Sequence, residues 1–166
     1  FPTRLAVHLY DIATHYHAVA GKTGNIEDYA VAASWYKLHL KSFPQHSDAS
    51  RINFLLAETL YEATQYEEAI LEYEKTAYEY APHKLSAEAG FAVFYAYDRL
   101  YQQTPLEKKS LVNQRLIKSS QLYSDRFSYD SRMPAILIKT AENFYALKEY
   151  SKALEVTQPL LTKPSL

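Results

Sequence analysis

The sequence predicts an all-α fold, a right-handed superhelix of about four helix pairs forming one domain over residues 1–166. The first observation behind this is an internal repeat. Tyr29-x-x-Ala32-x-x-x-Tyr36, running to Phe43-Pro44, returns 37 residues later as Tyr66-x-x-Ala69-x-x-x-Tyr73, running to Tyr80-Ala81-Pro82. A weaker copy opens at Tyr150-x-x-Ala153, a further 84 residues on. Periods of about 40 residues belong to stacked helix-turn-helix units, whose work is binding. Second, apolar residues recur at three- and four-residue steps, and no stretch alternates long enough to be a strand. Third, the chain holds only 3 glycines, too few for a fold of many tight turns or for glycine-lined phosphate loops.

The pairs fall at approximately 3–43, 47–82, 83–128 and 130–163. The first helix, Thr3 to Ala20, is expected to bury Leu5, Leu9, Ile12, Tyr16 and Val19, and Gly21-Lys22-Thr23-Gly24-Asn25 to end it. The second runs from Glu27 to Ser42 and stops before Pro44. Ser47 or Asp48 caps the third, which continues through Ala63, and Thr64-Gln65 links it tightly to the fourth, Tyr66 to Tyr80. The fifth spans Leu85 to Gln103, and Pro105 enters the sixth as a first-turn proline. The third pair exceeds the second by roughly ten residues, about three helical turns. Asp130 or Ser131 opens the seventh helix, through Leu147, and the eighth starts near Tyr150, with Pro159 expected to kink or end it at Gln158.

Composition narrows the function classes. With 48% hydrophobic and 22% charged residues the chain can bury a substantial core. A net charge of −1 argues against a nucleic-acid partner, which calls for a basic excess. No apolar run is long enough to cross a bilayer. Cysteine is absent, so disulfides and thiolate metal sites are excluded. The 16 tyrosines mostly recur at helical spacing, as gap-fillers whose hydroxyls reach the surface. Charge is segregated: seven glutamates between Glu58 and Glu79 face only Lys75, while Lys108 to Arg132 is basic, as expected of solvated helix faces. The chain opens Phe-Pro-Thr and stops at Lys-Pro-Ser-Leu, which reads as a slice of a longer solenoid. A signal peptide or lipid anchor would lie outside it, and self-association through an uncapped end is expected.

These residues resemble the tetratricopeptide repeat, in which small residues sit where paired helices touch, an aromatic marks the second helix and proline closes the unit. In the second pair Leu56-Ala57 matches the helix contact, Ala69 the small position and Tyr73 the aromatic, while Ala77 and Pro82 fall one place late. In the last pair Ala141, Phe144 and Ala153 match and Thr157 replaces the aromatic; the first and third pairs deviate more. Tyr66-Glu67-Glu68-Ala69 through Pro82-His83-Lys84 to Ala87-Glu88-Ala89 is similar to bacterial envelope members of that family. Among these are the periplasmic partner of the Tol-Pal system and the outer-membrane assembly lipoproteins. The resemblance implies a periplasmic or outer-membrane-associated scaffold for a protein or peptide partner. The alternative is an envelope module that stacks peptidoglycan or carbohydrate fragments on tyrosine faces.

Catalytic constellations are missing. Gly21-Lys22-Thr23 imitates the tail of a phosphate loop, but Tyr16 stands where its first glycine belongs. Ser34-x-x-Lys37 with Lys22-Thr23-Gly24 echoes a β-lactamase box, with no strand to carry it. Asp11, His15 and His17 lie close on one helix without completing a metal shell. The expectation is a binding protein, not an enzyme, with no cofactor and no metal.

In the family resembled, the first helix of each pair lines a concave groove. Carried over by Ala57 and Ala69, this implies Phe54, Glu58, Tyr61 and Glu62 in the second pair. Matching Gly90 to Ala57 adds Phe91, Phe94 and Tyr95, and the last pair supplies Ile138, Glu142 and Tyr145. Aromatic anchors beside carboxylates suit a segment with apolar and basic side chains. The Lys and Asn clamp that grips a terminal carboxylate in chaperone-binding relatives is absent. For Phe91 and Phe94 a core role is an equal alternative.

Overall fold

A computed structural model describes residues 2–127 and 130–162, with the side chains of 2, 3 and 162 left aside. The expected pair ends at 128 and 163 lie outside the described residues. Eight helices form and no strand does among the described residues: α1 (Pro2–Thr23), α2 (Ile26–Ser42), α3 (Ala49–Glu62), α4 (Tyr66–Tyr78), α5 (Ser86–Gln103), α6 (Leu106–Arg126), α7 (Met133–Ala146) and α8 (Tyr150–Thr162). The chain divides into two compact units, Phe1–Ala96 and Tyr97–Leu166, with the boundary inside α5. No helix is long and apolar enough to cross a membrane among the described residues.

In the first unit α1 packs on α2, α2 on α3 and α3 on α4. The buried stripe of α1 is Ala6, Leu9, Ala13 and Ala20, not the larger apolar set the periodicity favoured: Leu5 is exposed and Tyr16 marginally so. Ala32 and Ala33 are likewise buried on α2. Small side chains let two helix backbones approach closely, so alanines take the seam and bulkier residues turn outward. Ala57 and Ala69 are buried in the same way on α3 and α4. Side chains also reach past the nearest helix. Arg51 of α3 donates to the Tyr10 hydroxyl of α1 at 2.7 Å and holds Asp48 at 3.0 Å, and Lys37 of α2 is paired with Glu68 of α4.

In the second unit α6 packs on α7 and α7 on α8. Phe144 is buried among Ala141, Ala153 and Val156, with Ile117 and Leu137 against them. Lys139 of α7 lies 3.8 Å from Asp98 of α5, and Lys152 of α8 donates to Ser110 of α6 at 3.2 Å. The length excess of the third pair is shared, since α5 has 18 residues to the 14 of α3 and α6 has 21 to the 13 of α4.

The ends of the helices correct several expectations. Gly21 does not break α1, which runs through Thr23; Gly24, at φ +66°, ends it, and its N–H bonds the Ala20 carbonyl at 2.7 Å. Pro105 is the N-cap of α6 rather than its first residue, and α7 starts at Met133 with Arg132 before it. Asp130 instead organises the turn. It accepts the Tyr123 hydroxyl at 2.8 Å and the Arg132 backbone and guanidinium, which hold its carboxyl well below the usual range. Pro159 does not stop α8, which continues to Thr162. So near a helix end, one missing N–H bond is tolerated.

The turns α3–α4 and α7–α8 are copies of each other. Thr64 (φ 60°) and Lys148 (φ 61°) are both left-handed. Gln65 N–H bonds the Leu60 carbonyl at 2.9 Å and Thr64 N–H that of Tyr61 at 3.0 Å; Glu149 and Lys148 do the same to Phe144 and Tyr145, each at 2.9 Å. Both are Schellman closures made without glycine. A tyrosine pair covers each, Tyr61 on Tyr66 at 5.3 Å and Tyr145 on Tyr150 at 5.1 Å between ring centroids. A β-branched residue is strained at positive φ, so Thr64→Gly should stabilise by about 0.5–1 kcal/mol despite the looser unfolded chain. Lys148→Gly should act in the same direction with a smaller gain. Thermal melts of both variants check this, and a lower midpoint for Thr64→Gly would show that the turn carries no strain.

Candidate functional site

On α3 the positions 54, 58, 61 and 62 share one helix face, opposite the buried Ile52, Asn53, Leu56 and Leu60. Phe54 is half-buried with its ring edge-on to Tyr73 of α4 at 5.9 Å. Glu58 is half-buried too, and burial, then Glu62, then Glu88 raise its carboxyl above the usual range. Glu88 opens α5, so the face of α3 and the start of α5 bring three carboxylates to one place.

Groups from other helices face the same spot. The Tyr73 hydroxyl is pushed well above its ordinary value by burial and by Glu58, Tyr61, Glu62 and Glu88. On α1, His17 is held below its usual value by burial, against an opposing pull from Glu62. His17 Nδ1 lies 3.2 Å from the hydroxyl of Tyr36, which is itself raised by burial. Glu88, Tyr73, His17 and Tyr36 were not among the groove residues expected from sequence. Tyr73 was visible as the repeat aromatic, whereas Glu88 carried no signal of its own.

Phe91 and Phe94 are each 1% exposed and pack ring to ring at 5.4 Å, so they are core and present no surface to a partner. Of the two readings the sequence left open for them, this is the bland one. Tyr95 does reach solvent, at 51% exposure, with its ring against Phe91 at 5.5 Å. Glu88, Phe91 and Tyr95 lie on one face of α5 by their spacing.

The remaining candidates belong to the second unit. Ile138, Glu142 and Tyr145 are exposed along one face of α7, with Ile138 at 48% and Tyr145 at 66%. The opposite face supplies the buried Thr140, Ala141 and Phe144. This is an apolar-aromatic strip with one carboxylate, closed at its end by the Tyr145–Tyr150 pair.

Ser34 spends its hydroxyl on the Val31 carbonyl at 2.6 Å, and Lys37 is paired with Glu68. Among the described residues no group of three His, Cys, Asp or Glu could hold a metal ion. The rings of His15 and Tyr16, and of His17 and Tyr36, meet edge-on at 5.6 and 6.0 Å between centroids. What the first unit offers is a half-buried acidic patch rimmed by tyrosines. No protein-family model matches the chain, and none of the curated proteins matches it.

Proposed function

We propose that this chain is a tetratricopeptide-like, right-handed helical-repeat scaffold that binds a protein or peptide segment bearing apolar and basic side chains. One observation carries the reading: the Glu58 carboxyl is raised by burial and by Glu62 and Glu88, beside the rings of Phe54, Tyr61 and Tyr73. A lysine or arginine of the partner would lower the cost of ionising Glu58, and the ring faces would take its apolar neighbours.

Contacts between alternate helices support the repeat architecture. Arg51 with Tyr10 ties α3 to α1, and Lys37 with Glu68 ties α2 to α4. In the second unit Lys139 with Asp98 and Lys152 with Ser110 link α7 to α5 and α8 to α6. First helices lying beside first helices, and second beside second, is how stacked pairs cover their apolar faces. The similarity of the Tyr66–Ala89 stretch to envelope proteins supports a periplasmic or outer-membrane-associated setting.

The experiment separates binding from folding through one residue. Because its native carboxyl is raised, Glu58 binds its proton more tightly when folded. Its ionisation therefore costs stability as pH rises through the range above the usual value of 4.5. Glu58→Gln should raise the melting temperature at pH 7, and the gain should vanish below pH 4.5, where both states are protonated. The same variant, and Tyr95→Ala, should lose capture of partner from an envelope extract. Capture retained by both variants would remove this face from the binding site.

A further inference from the structure

A cleft of 370 Å³ opens in the first unit between α2, α3 and α4, away from the acidic face of α3. Leu40, Leu56, Pro44 and Tyr80 supply apolar walls, and Asn53 and Glu72 also line it. The volume lies in the range of small-molecule pockets.

Asn53 is 0% exposed, and its amide can point only one way. Its Nδ2 donates to the Glu72 backbone carbonyl at 2.9 Å and to Thr76 Oγ1 at 2.9 Å. Thr76 spends its own proton on the Glu72 carbonyl at 2.8 Å, so its oxygen must accept from Asn53. Turning the amide would set Oδ1 against that carbonyl, acceptor against acceptor. The Asn53 Oδ1 is therefore fixed as an acceptor, buried, and without a donor among the described residues. Glu72 Oε2 is a second buried acceptor in the same condition. Buried acceptors left unmet are rare and costly, and both of these belong to residues that line one cleft.

Lysines accompany them. Lys37, Lys41 and Lys75 line the cleft, and while Lys37 is paired with Glu68, neither Lys41 nor Lys75 is in an ion pair among the described residues. Glu79 is the other carboxylate of the lining. Two unmet acceptors and two unpaired cations around apolar walls define a ligand with separated charges.

We propose that this cleft binds a small zwitterion of the α-amino-acid type. Its ammonium meets Asn53 Oδ1 and Glu72 Oε2, its carboxylate meets Lys41 and Lys75, and its side chain lies on Leu40 and Leu56. The site is distinct from the acidic face proposed for the polypeptide partner and does not depend on it.

The test is calorimetric titration of the full chain with L-leucine, leucinamide (no carboxylate) and 4-methylpentanoate (no ammonium). Leucine should bind, and each half-ligand should bind at least tenfold more weakly. Glu72→Gln and the double variant Lys41→Gln/Lys75→Gln should each weaken leucine at least tenfold while leaving the melting temperature within a few degrees. Lys41 is exposed and Lys75 and Glu72 are half-buried, and Gln keeps the size and polarity of the Glu72 side chain, so Asn53 need not be touched. Absence of leucine binding by the unmodified chain overturns the proposal. So does equal binding of 4-methylpentanoate, or variants that bind leucine as tightly as the original.

Discussion

Phe144→Ala is expected to destabilise the second unit by about 3–5 kcal/mol, the cost of deleting a buried aromatic ring. Phe144 is 1% exposed and is the one large side chain in a cluster otherwise made of Ala141, Ala153 and Val156. The alanine side chains around it are too short to fill the space left by the ring. The Phe144 carbonyl also closes the α7–α8 turn by accepting from Glu149, and the Lys152 ammonium lies 5.7 Å from the ring centroid. The lost ring removes its contact with the Lys152 ammonium, while the backbone closure of the turn is kept. Urea unfolding followed by helical circular dichroism should show part of the signal lost at much lower denaturant. An unchanged profile would mean that the second unit has a core elsewhere.

Ala69→Leu is the second large effect, about 1–3 kcal/mol through overpacking. Ala69 and Ala57 are both 0% exposed, on paired helices in direct contact. Three added carbons have no room at that crossing unless α3 and α4 separate, which would also open the turn at Thr64. Ala69→Ser, nearly the same size, should cost much less. Equal melts for leucine and alanine would show that position 69 lies off the crossing.

The helices were legible because their signal is periodic and their stops are chemical. Tyr66 and Tyr150 stand where α4 and α8 start and Pro44 lies two residues past the end of α2, whereas Tyr29 is already inside α2 and α4 ends at Tyr78, well before Pro82. The seam of α1 was not legible. Hydrophobicity ranks Leu5 above Ala6, yet close backbone approach selects the alanine, a preference set by the partner helix rather than by α1 itself. Gly21 and Pro159 misled for a related reason: each is a weak breaker when the surrounding turns are already bonded. Of the candidate site, the α3 carboxylates and Tyr95 could be placed by repeat alignment. Whether Phe91 and Phe94 faced in or out could not, since both lie within one turn of an apolar helix. Asn53 gave no sign at all. A polar residue inside a helix reads as surface until its neighbours Glu72 and Thr76, on another helix, are known.

The pairing of each helix with its neighbour in sequence bears on how quickly this chain reaches its native state. α1 meets α2, α3 meets α4 and α7 meets α8 across links of only a few residues. Closing a loop of that size takes on the order of 10–100 ns, so no slow search for distant partners limits the rate. Proteins dominated by such local contacts fold in microseconds to milliseconds. During synthesis, α1 and α2 can dock before α3 has left the ribosome. The chain is thus suited to being assembled in the order in which it is made.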